Sequence, residues 1–285
     1  MQQINKTKFL LFVIVSMLIG NTSCAAQDTV LYKRINDTEL SLEVYYPEQM
    51  EKTKSYPAMI FFFGGGWKGG KTSQFLEYAK HFSKRGIVCF LADYRTKRSS
   101  RTTPFESLKD AKSSIRFIRK NASRFHIDST KVIAAGGSAG GHLAAATALI
   151  EDYNEDSDDL SISCVPDVLV LYNPVIDNGP GGYGYERIGD AYKAFSPLHN
   201  IKKGAPPTIL FLGTNDQHVP VVTAEYYKLV MDKVESRCDL KIYEGAKHGF
   251  FNYKKIKNYK KVVTETDEFL VSLGYLNKEP IVKIE

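Results

Sequence analysis

The sequence has few cysteines, and their spacing excludes a disulfide scaffold. It contains 4 cysteines in 285 residues. Those beyond Cys24 are Cys89, Cys164 and Cys238, an odd number at irregular spacing that predicts no disulfide framework. A single bridge between two of the three stays open in an oxidising compartment. No C-x-x-C pair occurs, so the cysteines indicate no metal site.

The N-terminal segment lacks an apolar run of membrane-spanning length. Its apolar run covers only residues 9–19, whereas a spanning helix needs about 20 residues. Basic residues precede the run and small, polar residues follow it, which predicts a signal peptide over residues 1–23 and an exported protein. Cys24 is then a candidate lipoprotein cysteine. Periplasmic, extracellular and lipid-anchored locations all stay open.

The chain carries no strong excess of one charge. Its formal net charge is +6, and the main lysine cluster, at residues 253–261, favours a solvated helix and loop face over a nucleic-acid site. We therefore expect no nucleic-acid partner. The acidic run at residues 151–159 is expected to be a solvated loop. Nothing in the pattern indicates the oligomeric state.

Beyond the leader, short apolar runs alternate with helical stretches. Residues 29–35 and 39–47 predict an antiparallel β-pair. Further strands are predicted at 56–64, 87–95, 131–137, 167–174, 207–214 and 239–245, with helices at 72–86, 104–125, 138–150, 220–235 and 259–274. This alternation predicts an α/β fold, a mostly parallel sheet with helices on both faces. Residues 24–285 are interpreted as one domain.

Two local features refine this scheme. The helix at 72–86 is expected to be capped by Thr72 or Ser73 and to end at Gly86. An insertion at residues 175–195 is rich in glycine and tyrosine and follows a strand. We interpret it as a short cap that faces the substrate.

One pentapeptide indicates a nucleophile. Residues 136–140 read Gly-Gly-Ser-Ala-Gly, which is G-x-S-x-G between a predicted strand and a predicted helix. Such a turn strains the serine backbone, and side chains at positions 136 and 140 would collide with neighbouring backbone. Ser138 is therefore predicted to be a catalytic serine at the head of a helix.

A serine hydroxyl needs a base, and the base needs an orienting acid. Asp216 follows one late strand and His248 follows the last, so the order serine, acid, histidine is met with each residue after a strand. His218 is a weaker candidate base because it lies on the acid's own loop. As orienting groups, Glu244 and Asn215 are weaker than Asp216. His142 is expected to be a packing or hydrogen-bonding residue.

The glycine-rich stretch at residues 61–75 permits two interpretations. Gly65 through Thr72 match G-x-x-x-x-G-K-[ST], the spacing of a phosphate-binding P-loop. The same glycines are also typical of the loop that holds an oxyanion in esterases. The export pattern, the bulky Trp67 and the ordered serine, acid and histidine all favour the oxyanion loop.

With these motifs, the chain resembles the α/β-hydrolase superfamily over residues 28–275, in particular the hormone-sensitive-lipase-like esterases and exported bacterial acetyl and feruloyl esterases. The resemblance rests on the segments FGGGW, GGSAGGH, GTNDQHVP and GAKHGFF. It implies an oxyanion hole formed by the backbone N–H groups of Gly65, Gly66 and Ala139. Phe63 stands where this family often has histidine.

The expected function is therefore a serine carboxylic-ester hydrolase that uses Ser138, His248 and Asp216 without a cofactor. The resemblance implies removal of acetyl or aryl-acyl groups, such as feruloyl, from poly- or oligosaccharides. Trp67, Tyr183 and Tyr185 are candidate substrate-binding residues. Two alternatives stay open: a serine peptidase on this fold, and a catalytically silent glycan-binding protein.

Overall fold

The computed structural model describes residues 27–51 and 53–284. The predicted signal peptide and Cys24 lie outside these residues. The described residues contain eight strands in one sheet. None of the helices in those two ranges is long and apolar enough to cross a membrane.

The strands are ordered β1-β2-β4-β3-β5-β6-β7-β8 across the sheet. They are β1 Gln27–Ile35, β2 Thr38–Tyr45, β3 Tyr56–Phe62, β4 Val88–Ala92, β5 Ile127–Gly137, β6 Val168–Tyr172, β7 Thr208–Gly213 and β8 Cys238–Tyr243. Strand β2 pairs antiparallel with both β1 and β4, and all other neighbours are parallel. The predicted α/β fold with an N-terminal antiparallel pair is confirmed.

The helices connect these strands and cover both faces of the sheet. They are α1 Leu76–Lys84, α2 Lys97–Ser100, α3 Pro104–Lys120, α4 Ala122–Phe125, α5 Ala139–Leu149, α6 Tyr185–Ile188, α7 Tyr192–Phe195, α8 Val221–Lys233 and α9 Ile256–Ser272. Short 3-10 turns occupy Thr72–Phe75, Gly189–Ala191 and Pro197–Asn200.

Two apolar cores, one on each face, hold the sheet. One core contains side chains from α3, α5 and α8, such as Leu108, Leu143 and Tyr227. The other contains side chains from α1 and α9, such as Tyr78 and Val262. Each of these five residues is 0% exposed, and burying a side chain of this size contributes about 1.5–3 kcal/mol. The continuously apolar strands of the sequence therefore lie between two packed layers.

Helix boundaries differ from the sequence prediction at two places. Neither Thr72 nor Ser73 caps the first helix, since its initial 3-10 turn has no side-chain cap and the Thr72 hydroxyl donates to the carboxylate of Glu43 on β2. The predicted helix over 104–125 is broken at Asn121, whose φ and ψ of −104° and 24° leave the helical region. The first helix, α1, ends at Lys84, and Gly86 follows shortly after it with a φ of +94° that favours glycine, in agreement with the prediction.

The acidic run at 151–159 is a loop, and four of its six acids are exposed as predicted, but two of them are not: Glu155 and Asp158. The side chains of Glu155 and Asp158 are each only 10% exposed. Glu155 pairs with Lys33 and Arg95, and Asp158 pairs with Arg116. These two acids thus lie at the edge of the core because cations on neighbouring elements neutralise them.

The three described cysteines, Cys89, Cys164 and Cys238, are buried and unbridged. Burial raises the pKa of the Cys89 thiol well above its ordinary value and raises that of Cys238 to about 12. Both thiols are therefore protonated and unreactive at neutral pH.

Candidate active site

The carboxyl ends of the parallel strands bring the candidate residues to one edge of the sheet. Ser138 lies between β5 and α5 with φ of 56° and ψ of −120°, a strained conformation for a side-chain-bearing residue. A Cβ atom on Gly136 would lie 2.2 Å from the Gly140 carbonyl oxygen, and one on Gly140 would lie 2.0 Å from that of Phe62. The predicted need for glycine at both positions is confirmed.

The structure brings Ser138, His248 and Asp216 together although they are far apart in sequence. The Ser138 Oγ atom lies 2.9 Å from His248 Nε2, and His248 Nδ1 lies 2.7 Å from Asp216 Oδ2. A carboxylate can only accept a hydrogen bond, so the hydrogen of the neutral imidazole resides on Nδ1. Nε2 is then the acceptor for the serine hydroxyl, which is the arrangement that a general base requires.

The loop after β7 fixes the carboxylate of Asp216. Its Oδ1 accepts hydrogen bonds from the backbone N–H groups of His218 at 2.8 Å and Val219 at 3.1 Å. Burial alone would raise the pKa of Asp216, but the hydrogen bond from His248 and these backbone N–H groups hold the pKa below its ordinary value. The carboxylate is therefore ionised at neutral pH, as an acid that orients a histidine base must be.

The other histidines take different positions. The ring of His218 lies edge-on to that of His248 at a centroid distance of 4.7 Å, but it is His248 whose Nε2 is bonded to Ser138. His142 is fully buried, its Nε2 lies 2.9 Å from the Phe195 carbonyl oxygen, and burial lowers its pKa to about 4. As expected, His142 is a neutral packing and hydrogen-bonding residue.

The glycine loop after β3 approaches the serine. Gly65 and Gly66 line a cleft of about 210 Å³ together with Ser138 and His248. Both glycines have positive φ, 133° and 63°. Within residues 27–51 and 53–284, the backbone N–H groups of Gly65, Gly66 and Ala139 donate to no protein acceptor. Three free donors next to a serine hydroxyl form a site suited to an anionic oxygen.

Of the three aromatic candidates, only Tyr183 lines this cleft. Trp67 is 1% exposed and lies behind it, against His142 and Tyr183. Tyr185 faces Tyr192 at 6.0 Å and is not among the lining residues. Trp67 therefore supports the insertion at 175–195 instead of forming the cleft surface.

A chain of amide groups at the site was missed from the sequence. Gln74 Oε1 accepts the backbone N–H of Gly64 at 2.6 Å, and Gln74 Nε2 donates to Asn252 Oδ1 at 2.9 Å. Asn252 in turn donates to the Gly249 carbonyl at 2.8 Å, and the Gly249 N–H donates to Asn173 Oδ1 at 2.8 Å. This amide chain joins the glycine loop to the loop that carries the histidine.

The strand order and the placement of the serine, acid and histidine define the class of the protein. A serine turn after β5, with an aspartate after β7 and a histidine after β8, is the arrangement of the α/β-hydrolases. No group of three or more His, Cys, Asp or Glu residues in the described ranges is arranged to hold a metal ion.

Comparison with known proteins agrees with this class and narrows it. The BD-FAE family model matches residues 42–173, and the dienelactone hydrolase family model matches residues 173–270. Esterase 2 of Thermogutta terrifontis is 38% identical, with a TM-score of 0.85, and the match covers 89% of this chain and 97% of that chain. The chain therefore belongs to the serine esterases of the α/β-hydrolase superfamily, not to the P-loop proteins.

More distant relatives are also esterases. Esterase LipC of Mycobacterium tuberculosis is 27% identical over 237 residues, 75% of this chain and 58% of the relative. An acetylxylan esterase of Xylanibacter ruminicola is 26% identical over 204 residues, 66% of this chain and 39% of the relative. The chain thus spans only about half of the length of these curated relatives.

Proposed function

We propose that the protein hydrolyses carboxylic esters through a catalytic triad of Ser138, His248 and Asp216. The observation that carries this proposal is the continuous contact from the serine hydroxyl through the imidazole to the carboxylate, at 2.9 Å and 2.7 Å. The free N–H groups of Gly65, Gly66 and Ala139 supply the second requirement, donors for a developing oxyanion. The chain's membership of the serine esterases supports the same reaction.

In the first half of the reaction, Ser138 Oγ attacks the ester carbonyl while His248 Nε2 accepts its proton. Asp216 holds the imidazole orientation and stabilises the imidazolium, and the carbonyl oxygen becomes an anion against the three N–H groups. Collapse of this intermediate transfers the proton from His248 to the leaving alcohol. In the second half, His248 activates water, which releases the acid and restores the serine.

The substrate that we propose is a short acyl ester of a poly- or oligosaccharide, with acetyl first and an aryl-acyl group such as feruloyl second. A cleft of about 210 Å³ suits a small acyl group. One relative is named as an acetylxylan esterase, and Thermogutta terrifontis esterase 2 is described with propionate and with butyrate bound. The basic and apolar pattern of the N-terminal residues supports action outside the cytoplasm, with Cys24 as the proposed lipid anchor.

The test is hydrolysis of the 4-nitrophenyl esters of acetate, butyrate and octanoate, with methyl ferulate alongside and a Ser138→Ala variant as the blank. We expect serine-dependent turnover that falls at least about tenfold from acetate to octanoate, because a small cleft excludes the long chain. Preference for octanoate would contradict the acyl size. Equal inactivity of both proteins on all four esters would contradict the esterase itself, and peptides and glycans would then be tested.

The amide chain gives a second expected result. Gln74→Leu keeps most of the side-chain volume but removes the acceptor for Gly64 and the donor to Asn252, so the oxyanion loop is no longer tied to the histidine loop. We expect kcat for 4-nitrophenyl acetate to fall about 10- to 100-fold with KM within about threefold, because small displacements of catalytic groups are costly. Steady-state kinetics measures kcat and KM of the variant and the wild type at equal concentrations of folded protein, and thermal melting checks that the variant is folded.

A double-mutant cycle separates positioning from a general loss of packing. Asn252→Leu should cause a similar fall in kcat, and the double variant should be little worse than either single variant, because both break the same connection. Independent, multiplicative losses, or an unchanged kcat in Gln74→Leu, would show that the two amides do not position the loop through each other.

A further inference from the structure

A second and larger cavity lies beside the catalytic cleft. Its volume is about 700 Å³, and the two cavities have lining residues in common: Gly64, Gln74, His248, Gly249 and Asn252. The two spaces therefore meet at the imidazole of the proposed base. A substrate whose acyl group occupies the small cleft has room to extend its other part into the larger cavity.

The larger cavity carries an excess of positive charge. Lys71, Lys254 and Lys255 line it, and the only acidic residue among the described lining residues is Glu77, which pairs with Lys80 at 3.0 Å. Within the described part of the chain, the ammonium groups of the three lysines form no ion pair or hydrogen bond. Three cationic side chains are thus available to a ligand in this space.

The lysine cluster at 253–261 is therefore divided by the fold. Lys254 and Lys255 line the cavity, together with the half-exposed ring of Tyr253. The remaining lysines of the cluster belong to α9 and do not line it: Lys257, Lys260 and Lys261. The lysines of both groups are exposed, as predicted, but only the first group lies at one cavity with Lys71, which is distant in sequence.

The proposed reaction indicates which part of the substrate enters this cavity. His248 passes its proton to the leaving alcohol, so the alcohol portion lies beside this imidazole. We propose that the cavity lined by Lys71, Lys254 and Lys255 binds the alcohol portion and selects alcohols that carry a carboxylate, as an acidic sugar does. This inference rests on the proposed esterase function and names the class of ester that the same site prefers.

The test compares two acetyl esters of equal size that differ in charge, 4-acetoxybenzoate and 4-acetoxybenzamide, on wild-type protein and on a Lys71→Gln/Lys254→Gln/Lys255→Gln variant. We expect the ratio of kcat/KM for the anionic ester to that for the neutral ester to fall about tenfold in the variant, a few-fold for each exposed pair. The wild-type ratio should also fall as salt rises from about 0.05 to 0.5 M, because screening weakens such pairs.

A matched control removes the same number of charges outside the cavity. The Lys257→Gln/Lys260→Gln/Lys261→Gln variant should keep the wild-type ratio. An equal fall of the ratio in both variants would show that the overall positive charge of the protein causes the preference, and it would overturn the subsite. An unchanged ratio in the variant of the cavity lysines would overturn it as well. In either case hydrolysis of the neutral ester would leave the esterase standing, whereas no hydrolysis of either ester would overturn both proposals.

Discussion

An Asp216→Asn variant should lose about 10⁴ in kcat for ester hydrolysis while its fold and stability stay close to wild type. The substitution is nearly isosteric, and the amide oxygen can still accept the backbone N–H groups of His218 and Val219, which now bond to Oδ1 at 2.8 Å and 3.1 Å. The loss of activity therefore comes from the contact with the imidazole and not from collapse of the loop.

The physical reason is the tautomer of His248. In the wild type, the carboxylate accepts a hydrogen bond from Nδ1 at 2.7 Å and leaves Nε2 free to take the proton of Ser138. An asparagine that keeps its oxygen on the backbone presents its NH₂ group to Nδ1. The imidazole must then carry its hydrogen on Nε2, where it cannot act as the base, and the imidazolium loses its negative partner.

Steady-state hydrolysis of 4-nitrophenyl acetate measures this effect, with far-UV circular dichroism and thermal melting as checks on folding. Glu244→Gln is the matched control, because it also neutralises an acid on a loop at this edge of the sheet. Among the described residues, the Glu244 carboxylate accepts one hydrogen bond, from the Thr214 hydroxyl at 3.2 Å. We expect its kcat within about twofold of wild type. If Asp216→Asn kept a tenth of the activity, Asp216 would not be the orienting acid.

The meeting of serine, histidine and aspartate is predictable from the sequence because each residue follows a strand. Parallel strands place their carboxyl ends at one edge of the sheet, so three local patterns are enough to imply one site. The glycines at 136 and 140 are predictable for the same reason, since the crowding at a strand-to-helix turn is local.

Contacts between distant residues are not predictable in this way. Gln74 and Asn252 are 178 positions apart, and neither belongs to a motif. Thr72 has the chemistry of a helix cap, but Glu43 on β2 takes its hydroxyl. Trp67 follows the glycine loop in sequence, yet the loop turns its ring into the core under the insertion at 175–195. In each case the local sequence permits more than one contact, and packing against residues distant in sequence decides which contact forms.

The buried ion cluster around Asp110 is a further tertiary feature, and we expect Asp110→Ala to destabilise the protein by about 3–5 kcal/mol. The carboxylate is fully buried and contacts Lys33 Nζ at 2.7 Å. It also accepts hydrogen bonds from the Arg95 guanidinium at 2.7 Å and 2.8 Å and from the Arg95 backbone N–H at 2.9 Å. Glu155 is the second anion, at 2.8 Å from each cation.

The cost arises from what the substitution leaves behind. Without Asp110, two nearly buried cations share one carboxylate, and an uncompensated charge in a poorly hydrated site is far less stable than in water. The cluster also joins β1, the segment after β4, α3 and the acidic segment at 151–159. Its loss should therefore loosen the attachment of the N-terminal antiparallel pair, whose inner face forms part of one core.

Urea unfolding followed by circular dichroism tests this prediction. We expect the Asp110→Ala variant to unfold at a lower urea concentration, with an unchanged dependence of the unfolding free energy on urea concentration. Glu39→Ala is the control, because it removes one partner of the exposed pair between Arg34 and Glu39 and should change the midpoint far less, as exposed pairs contribute little. If the two variants unfolded at the same urea concentration, the Asp110 cluster would contribute no more than a surface pair. The large difference that we expect follows from burial and from the greater number of partners of Asp110, which binds two cations and a backbone N–H where Glu39 binds one cation.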